Sequence, residues 1–178
     1  GDRLKQCKDA LDRKDYVTAI SCFREAVRKE KKDPQGYFWV GYALLLADST
    51  EVALAPLIQA RELDTANAKI YETIGDVYTK QNLPAAAILQ YQHATELDST
   101  IAQVFVKLAR SNMKIKKYND AANAFWRAIR LDTTNAAVYR ELGGLYFVAK
   151  QYEKALPLLL RLIALDSKEH DQLLHVIA

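Results

Sequence analysis

The side chains able to do chemistry are few and scattered. His93 stands alone, and His170 and His175 lie five apart, on different faces of a helix, a poor metal pair. The chain has two cysteines, Cys7 and Cys22, but no Cys-x-x-Cys, no glycine-rich phosphate loop and no nucleophile elbow. Its carboxylates fall at helix caps or on solvated faces. These patterns assign no catalytic residue, no metal and no cofactor, and the reading is of a non-enzyme. What remains is recognition chemistry. Lys107, Arg110 and Lys114 repeat at i, i+3, i+7 and form a basic stripe. Such a stripe suits a ligand carboxylate, and Arg110 can bind one with both its nitrogens. The alternative pairs Lys107 and Arg110 with Glu72 and Asp76 of an adjoining helix. Elsewhere Phe38, Trp39, Tyr42, Leu45 and Leu46 make one helix apolar nearly all round. A helix of that kind is buried on all sides, or exposes an aromatic patch where one side is open, and such patches mark binding sites. Alternatively Trp39 and Leu46 pack against the sparse helix before them.

Composition narrows the class. The chain has 178 residues, 50% of them apolar, and a net charge of +3 with both signs interspersed. Nothing in that balance points to nucleic acid or to a membrane surface. The opening GDRLKQCKDA lacks the apolar centre of a signal peptide. No apolar run approaches the roughly 18 residues of a membrane span. The two cysteines read as small buried apolar residues. A disulfide is the alternative, and would imply an oxidising compartment. Localisation stays open, with cytoplasmic and periplasmic placements of a soluble chain both compatible.

The elements that must position these side chains declare themselves by repetition. Ala19, Ala53, Ala87, Ala121 and Ala155 are each 34 residues apart, and Asp64, Asp98, Asp132 and Asp166 keep the same interval. Cys7, Gly41, Gly75, Ala109 and Gly143 form a small column; Phe23, Leu57, Tyr91, Phe125 and Leu159 form a large apolar one. A fixed period of this length marks stacked helical units. Tyr71, Ile74, Gly75 and Tyr78 share one helix face, and Ala87, Tyr91 and Ala94 share another. Gly75 lets the two helices approach, while Tyr91 and its counterparts fill the space between units. Asp15 and Ser49 are candidate caps for second helices, and Pro84 suits a first turn. Pro56 and Pro157 lie deeper and predict local curvature.

The unit resembles the tetratricopeptide repeat. The family's aromatic, aliphatic, small and aromatic signature matches Tyr71, Ile74, Gly75 and Tyr78, then again Tyr139, Leu142, Gly143 and Tyr146. Ala87 and Tyr91 match its second helix. Departures are the absent closing Pro, replaced by Thr65, Ser99, Thr133 and Ser167 as candidate caps, Asn112 for an aromatic, and Arg3 and Gln6 in a polar first helix. The resemblance implies an all-α, right-handed α-solenoid of five helix-turn-helix repeats plus a partial sixth helix. The repeats span residues 1–34, 35–67, 68–101, 102–135 and 136–167, with 168–178 starting a further or capping helix of one domain. The apolar tail predicts that the natural protein continues.

In this family the first helices line a concave groove. That implies a partner-binding set of Phe38, Trp39, Tyr42, Leu45, Glu72, Asp76, Lys107, Arg110, Lys114, Arg140 and Phe147. One subgroup clamps acidic chaperone tails through an Asn column, which here holds Lys8, Tyr42 and Asp76, so that clamp is not expected. The expected function is a protein–protein interaction scaffold that captures a peptide segment of a protein partner, without nucleic acid or membrane insertion. The alternatives are a self-assembling, homo-oligomeric module and the targeting module of a larger enzyme.

Overall fold

The computed structural model describes the backbone of residues 2–177 and the side chains of residues 4–167. Among the described residues ten helices follow one another: α1 (Asp2–Asp12), α2 (Tyr16–Lys29), α3 (Pro34–Leu46), α4 (Thr50–Leu63), α5 (Ala68–Lys80), α6 (Pro84–Leu97), α7 (Ala102–Lys114), α8 (Tyr118–Leu131), α9 (Ala136–Val148) and α10 (Tyr152–Ile177). No strand occurs among the described residues. The helices pack in consecutive pairs, as the repeat requires. They fall into two compact units, residues 1–99 with α1 to α6 and residues 100–178 with α7 to α10.

Each pair closes on its small column. A Cβ on Gly75 would come within 2.5 Å of the Tyr91 ring, and one on Gly41 within 2.4 Å of Leu57. Tyr91 therefore fills the space inside its own pair, between α5 and α6, and not the space between units. Phe23 does bridge to the next pair, stacking on Trp39 at 5.8 Å. Neither helix of a pair can bury its apolar face alone, so packing and not propensity holds these short helices.

The turns inside the pairs repeat as strictly as the cores. Lys14, Asp48, Asn82, Lys116 and Lys150 all have positive φ, between 57° and 62°, at one register position. The next residue's N–H then bonds back five residues, as Leu83 does to the Tyr78 carbonyl at 2.9 Å and Lys117 to that of Asn112 at 2.9 Å. This left-handed closure satisfies carbonyls that the helix end leaves open.

The caps divide. Asp15 accepts the Thr18 N–H at 3.2 Å, as expected. Ser49 sits at its cap position but its side chain makes no cap bond. Thr65, Ser99 and Thr133 do not cap: the N-caps are Asn67, Ile101 and Asn135. The aspartate column explains the offset. Asp64 accepts the Ala66 N–H at 3.3 Å and Asp132 that of Thr134 at 2.9 Å, so each chain turns for two more residues before the helix begins. Ser167 lies inside α10, donating to the Ile163 carbonyl at 2.8 Å. The tail read as a further helix continues α10 to Ile177. The side chains of Arg3, His170, Leu173, His175, Val176 and Ile177 lie outside the described residues. Both α4 and α10 run through their internal prolines, Pro56 and Pro157.

The cysteines correct the expectation of two free buried thiols. Cys7 and Cys22 form a disulfide between α1 and α2, with Cα atoms 5.4 Å apart. The repeat supplies the reason. Position 7 belongs to the small column, and four repeats on the matching pair is Gly143 and Leu158. There a Cβ built on Gly143 lies 3.5 Å from the Leu158 Cβ, the Cβ spacing a disulfide needs.

Candidate functional site

In the first unit the aromatic residues form a cluster rather than an open patch. The Asp33 carboxylate caps α3 by accepting the Gln35 N–H at 2.9 Å, and Pro34 starts the helix. Its rings then pack together: Phe38 stacks on Tyr42 at 5.8 Å, and Trp39 meets both edge-on, at 5.2 Å and 5.7 Å. Lys8 of α1 sits 4.4 Å from the centre of the Trp39 ring. Phe38 and Leu45 are only 6% and 5% exposed, so they belong to the core and not to an accessible lining. Trp39 and Tyr42 are half-buried and keep an accessible edge. The sparse first helix accounts for this: α1 leaves α2 and α3 to supply the large side chains.

Glu72 and Asp76 of α5 also turn inward. Glu72 is buried and accepts the Lys69 ammonium at 2.8 Å. Asp76 accepts the Tyr91 hydroxyl at 2.8 Å, and that hydroxyl lies 2.9 Å from the Thr79 hydroxyl. Burial, followed by the charge of Asp76, pushes the Tyr91 phenol well above its usual range, so it stays a neutral donor.

In the second unit Arg110 pairs with a carboxylate of that same unit. Its Nε donates to both carboxylate oxygens of Glu141 on α9 at 3.1 Å, and a terminal nitrogen closes the fork. The hydrogen bond to Glu141 raises the Arg110 pKa above its usual value. Sequence reasoning missed Glu141, which stands 31 residues from Arg110, one helix face on in the next repeat. Lys107 is half-buried and Lys114 exposed. Arg140 is exposed and lies 4.0 Å from Asp166. Phe147 is exposed and meets Tyr152 edge-on at 5.6 Å.

A cleft of about 900 Å³ opens beside these residues, between the end of α7, the start of α8, and α9. Met113, Ala122, Leu145 and Val148 supply apolar walls, and Arg140 and Lys154 stand on its lining. Lys154 also lies 5.4 Å from the Tyr146 ring. Gly144 forms part of the wall, and a Cβ there would meet no atom within 4 Å. Among the described residues no group of three His, Cys, Asp or Glu could hold a metal. No helix among them is long and apolar enough to cross a membrane.

Tetratricopeptide-repeat models match residues 4–68, 68–101 and 113–177. The chain belongs to the tetratricopeptide-repeat family. No curated protein sequence matches it. Among solved structures it is similar to MamA, with TM-score 0.86 at 18% identity over 93% of this chain and 96% of that one. MamA from Desulfovibrio magneticus RS-1 gives TM-score 0.83 at 18% identity, over 94% and 97% of the two chains. YrrB, described as a TPR protein with an unusual peptide-binding site, gives 0.77 at 18% identity, over 98% and 89%.

Proposed function

We propose that this chain is a protein-interaction scaffold and that the cleft of the second unit takes a peptide segment of a protein partner. The cleft carries the reading. Its apolar walls suit one large apolar side chain, and Arg140 and Lys154 suit a neighbouring carboxylate. Glu141 lines the cleft too, but the forked bond to Arg110 neutralises it. Arg140 and Asp166 are 62% and 54% exposed at 4.0 Å, a pairing weak enough for a ligand to displace. In the first unit Trp39 and Tyr42 are half-buried and keep open edges, a separate apolar contact surface. YrrB's peptide-binding site is consistent with this use of the fold. The Cys7–Cys22 bond supports an oxidising compartment as the place of action.

Gly144 provides the test. Gly144→Phe places a ring in the cleft without displacing any atom near its Cβ. Dodecamer peptides selected from a random phage library on the wild-type chain should carry an apolar residue beside an acidic one. They should lose binding to Gly144→Phe and to Arg140→Glu. Equal binding to both variants at retained melting temperature overturns the reading.

A second reading, self-association, draws on α10. Leu156, Leu160 and Ile163 lie at i, i+4, i+7 and are 59%, 56% and 61% exposed. One repeat earlier the same register holds Ala122, Trp126 and Ile129, of which Ala122 and Ile129 are buried, while Trp126 donates to the Tyr146 hydroxyl of α9 at 3.1 Å. A further first helix, such as that of a second copy, would fit the α10 stripe in the same way. Sedimentation equilibrium decides: concentration-dependent mass abolished by Leu160→Lys supports it, and a monomer at every concentration removes it.

A further inference from the structure

A second recess lies on a different face of the first unit, between the second helices α2 and α4. It consists of two adjoining hollows of about 420 and 490 Å³ that share Arg24, Arg28 and Leu44. Buried Val40 and Leu44 of α3 form the floor. Exposed Val17 and Val52 stand at opposite sides, on α2 and α4. None of the residues read as the groove from sequence lines it.

Its charge is predominantly positive: two arginines line it against one carboxylate, Glu25, which has a partner of its own. Arg24 and Arg28 are spaced i, i+4 on α2 and both are exposed. Neither has a carboxylate partner among the described residues. Across the recess α4 presents Val52, Ala55, Pro56 and Gln59, none of them acidic. Pro56 adds a feature, because it has no N–H to give to the carbonyl four residues back, that of Val52. The recess thus combines an apolar floor, two arginine forks on one wall and a backbone acceptor deprived of its helical donor on the other. Two unpaired arginines beside buried aliphatic groups complement an acidic and apolar partner.

We propose that this recess docks an amphipathic helix of a partner protein. Two apolar side chains about one or two turns apart enter the hollows, and flanking carboxylates bind Arg24 and Arg28. On α2 the first hollow is lined from Val17 to Arg28 and the second from Arg24 to Arg28, so the two adjoin near the end of that helix, as pockets for successive anchors of a helix laid in a groove do. The site is separate from the cleft of the second unit, and a variant in one leaves the other intact.

The test uses a fluorescein-labelled helical peptide with Leu at i, i+4 and i+7 and Glu beside each. Two control peptides replace every Glu by Lys, or every Leu by Ala. Fluorescence anisotropy with the whole chain should show saturable binding of the first peptide only. Arg24→Glu/Arg28→Glu should weaken it by at least about tenfold, and Val52→Glu should do the same by placing a like charge at the recess. Both sites are exposed, so circular dichroism should show unchanged folding, and Gly144→Phe should leave the affinity unchanged. Equal binding of the Lys control or the Ala control overturns the proposal, the first by removing charge recognition and the second by removing the hollows. Unchanged affinity in Arg24→Glu/Arg28→Glu also overturns it, as does a peptide that fails to bind or competes with self-association of the chain.

Discussion

Single residues set how closely the helices approach, and two kinds of glycine show it. At Gly75 a methyl group would stand 2.5 to 2.9 Å from three atoms of the Tyr91 ring. That ring cannot swing aside freely, since its hydroxyl donates to Asp76 and meets Thr79. Gly75→Ala gains helix propensity but overpacks the pair, and should lower stability by about 1–3 kcal/mol. At Gly144 a methyl group meets nothing within 4 Å, so Gly144→Ala should raise stability by about 0.5–1 kcal/mol through the unfolded chain and the helix. Urea denaturation of both variants checks the pair, and a shift of the same sign in both would contradict the packing argument. The small and aromatic columns made Gly75 and Tyr91 legible in the sequence. The role of Tyr91 was misplaced because a column records a large residue without saying which side of its pair it fills. Glu141 was illegible for a related reason: its partner Arg110 is matched through stacking of successive units, and a single strand of text does not give side-chain reach.

At the scale of the element, turn chemistry decided where each helix stops. The left-handed position holds Lys14, Asp48, Asn82, Lys116 and Lys150, where a side chain other than glycine costs on the order of 1 kcal/mol. Lys116→Gly should therefore stabilise the chain by about 0.5–1 kcal/mol, read from the midpoint of urea unfolding. Lys116→Ala should not, which separates backbone relief from loss of charge. This column escaped sequence reading because no glycine marks it, and Lys, Asp and Asn share its positions. The aspartates were read as a column, but their part in delaying the next helix needs the backbone. Asp132 of that column and the α2 cap Asp15 carry a pH dependence. The Thr18 hydroxyl and N–H hold the Asp15 carboxyl below the usual range, and the Thr134 hydroxyl and N–H do the same for Asp132. A lowered folded-state pKa means stability that is present above the unfolded value and is lost as pH falls through the folded one. Melting temperature should accordingly fall below about pH 4, and the fall should be shallower in Asp15→Ala/Asp132→Ala, which lack those bonds at every pH.

For the whole molecule, the repeat architecture makes stability a matter of neighbours. Its consequence is sharpest at the first pair. Among the described residues α1 offers Cys7, Ala10 and Leu11 as buried apolar residues, with Leu4 packed beside them. So little apolar surface holds a helix of 11 residues weakly, and the disulfide across 15 residues supplies what the core does not. Closing a loop of that length stabilises by about 3 kcal/mol in the chain-entropy account. The fold class was legible from periodicity alone, because every pair must bury the same face. This bond was not, because two cysteines in one unit look the same free or joined until the small column is seen to bring position 7 against position 22. Reduction by dithiothreitol should raise amide hydrogen exchange throughout α1 and in the α2 turns facing it. Exchange in residues 100–178 should stay at its oxidised rate, since stacked units transmit stability only to those they touch. Cys7→Ser/Cys22→Ser should reproduce the reduced pattern without reductant. Uniform acceleration across the chain would instead mean that one cooperative transition governs the molecule, and that the bond stabilises the whole rather than its first pair.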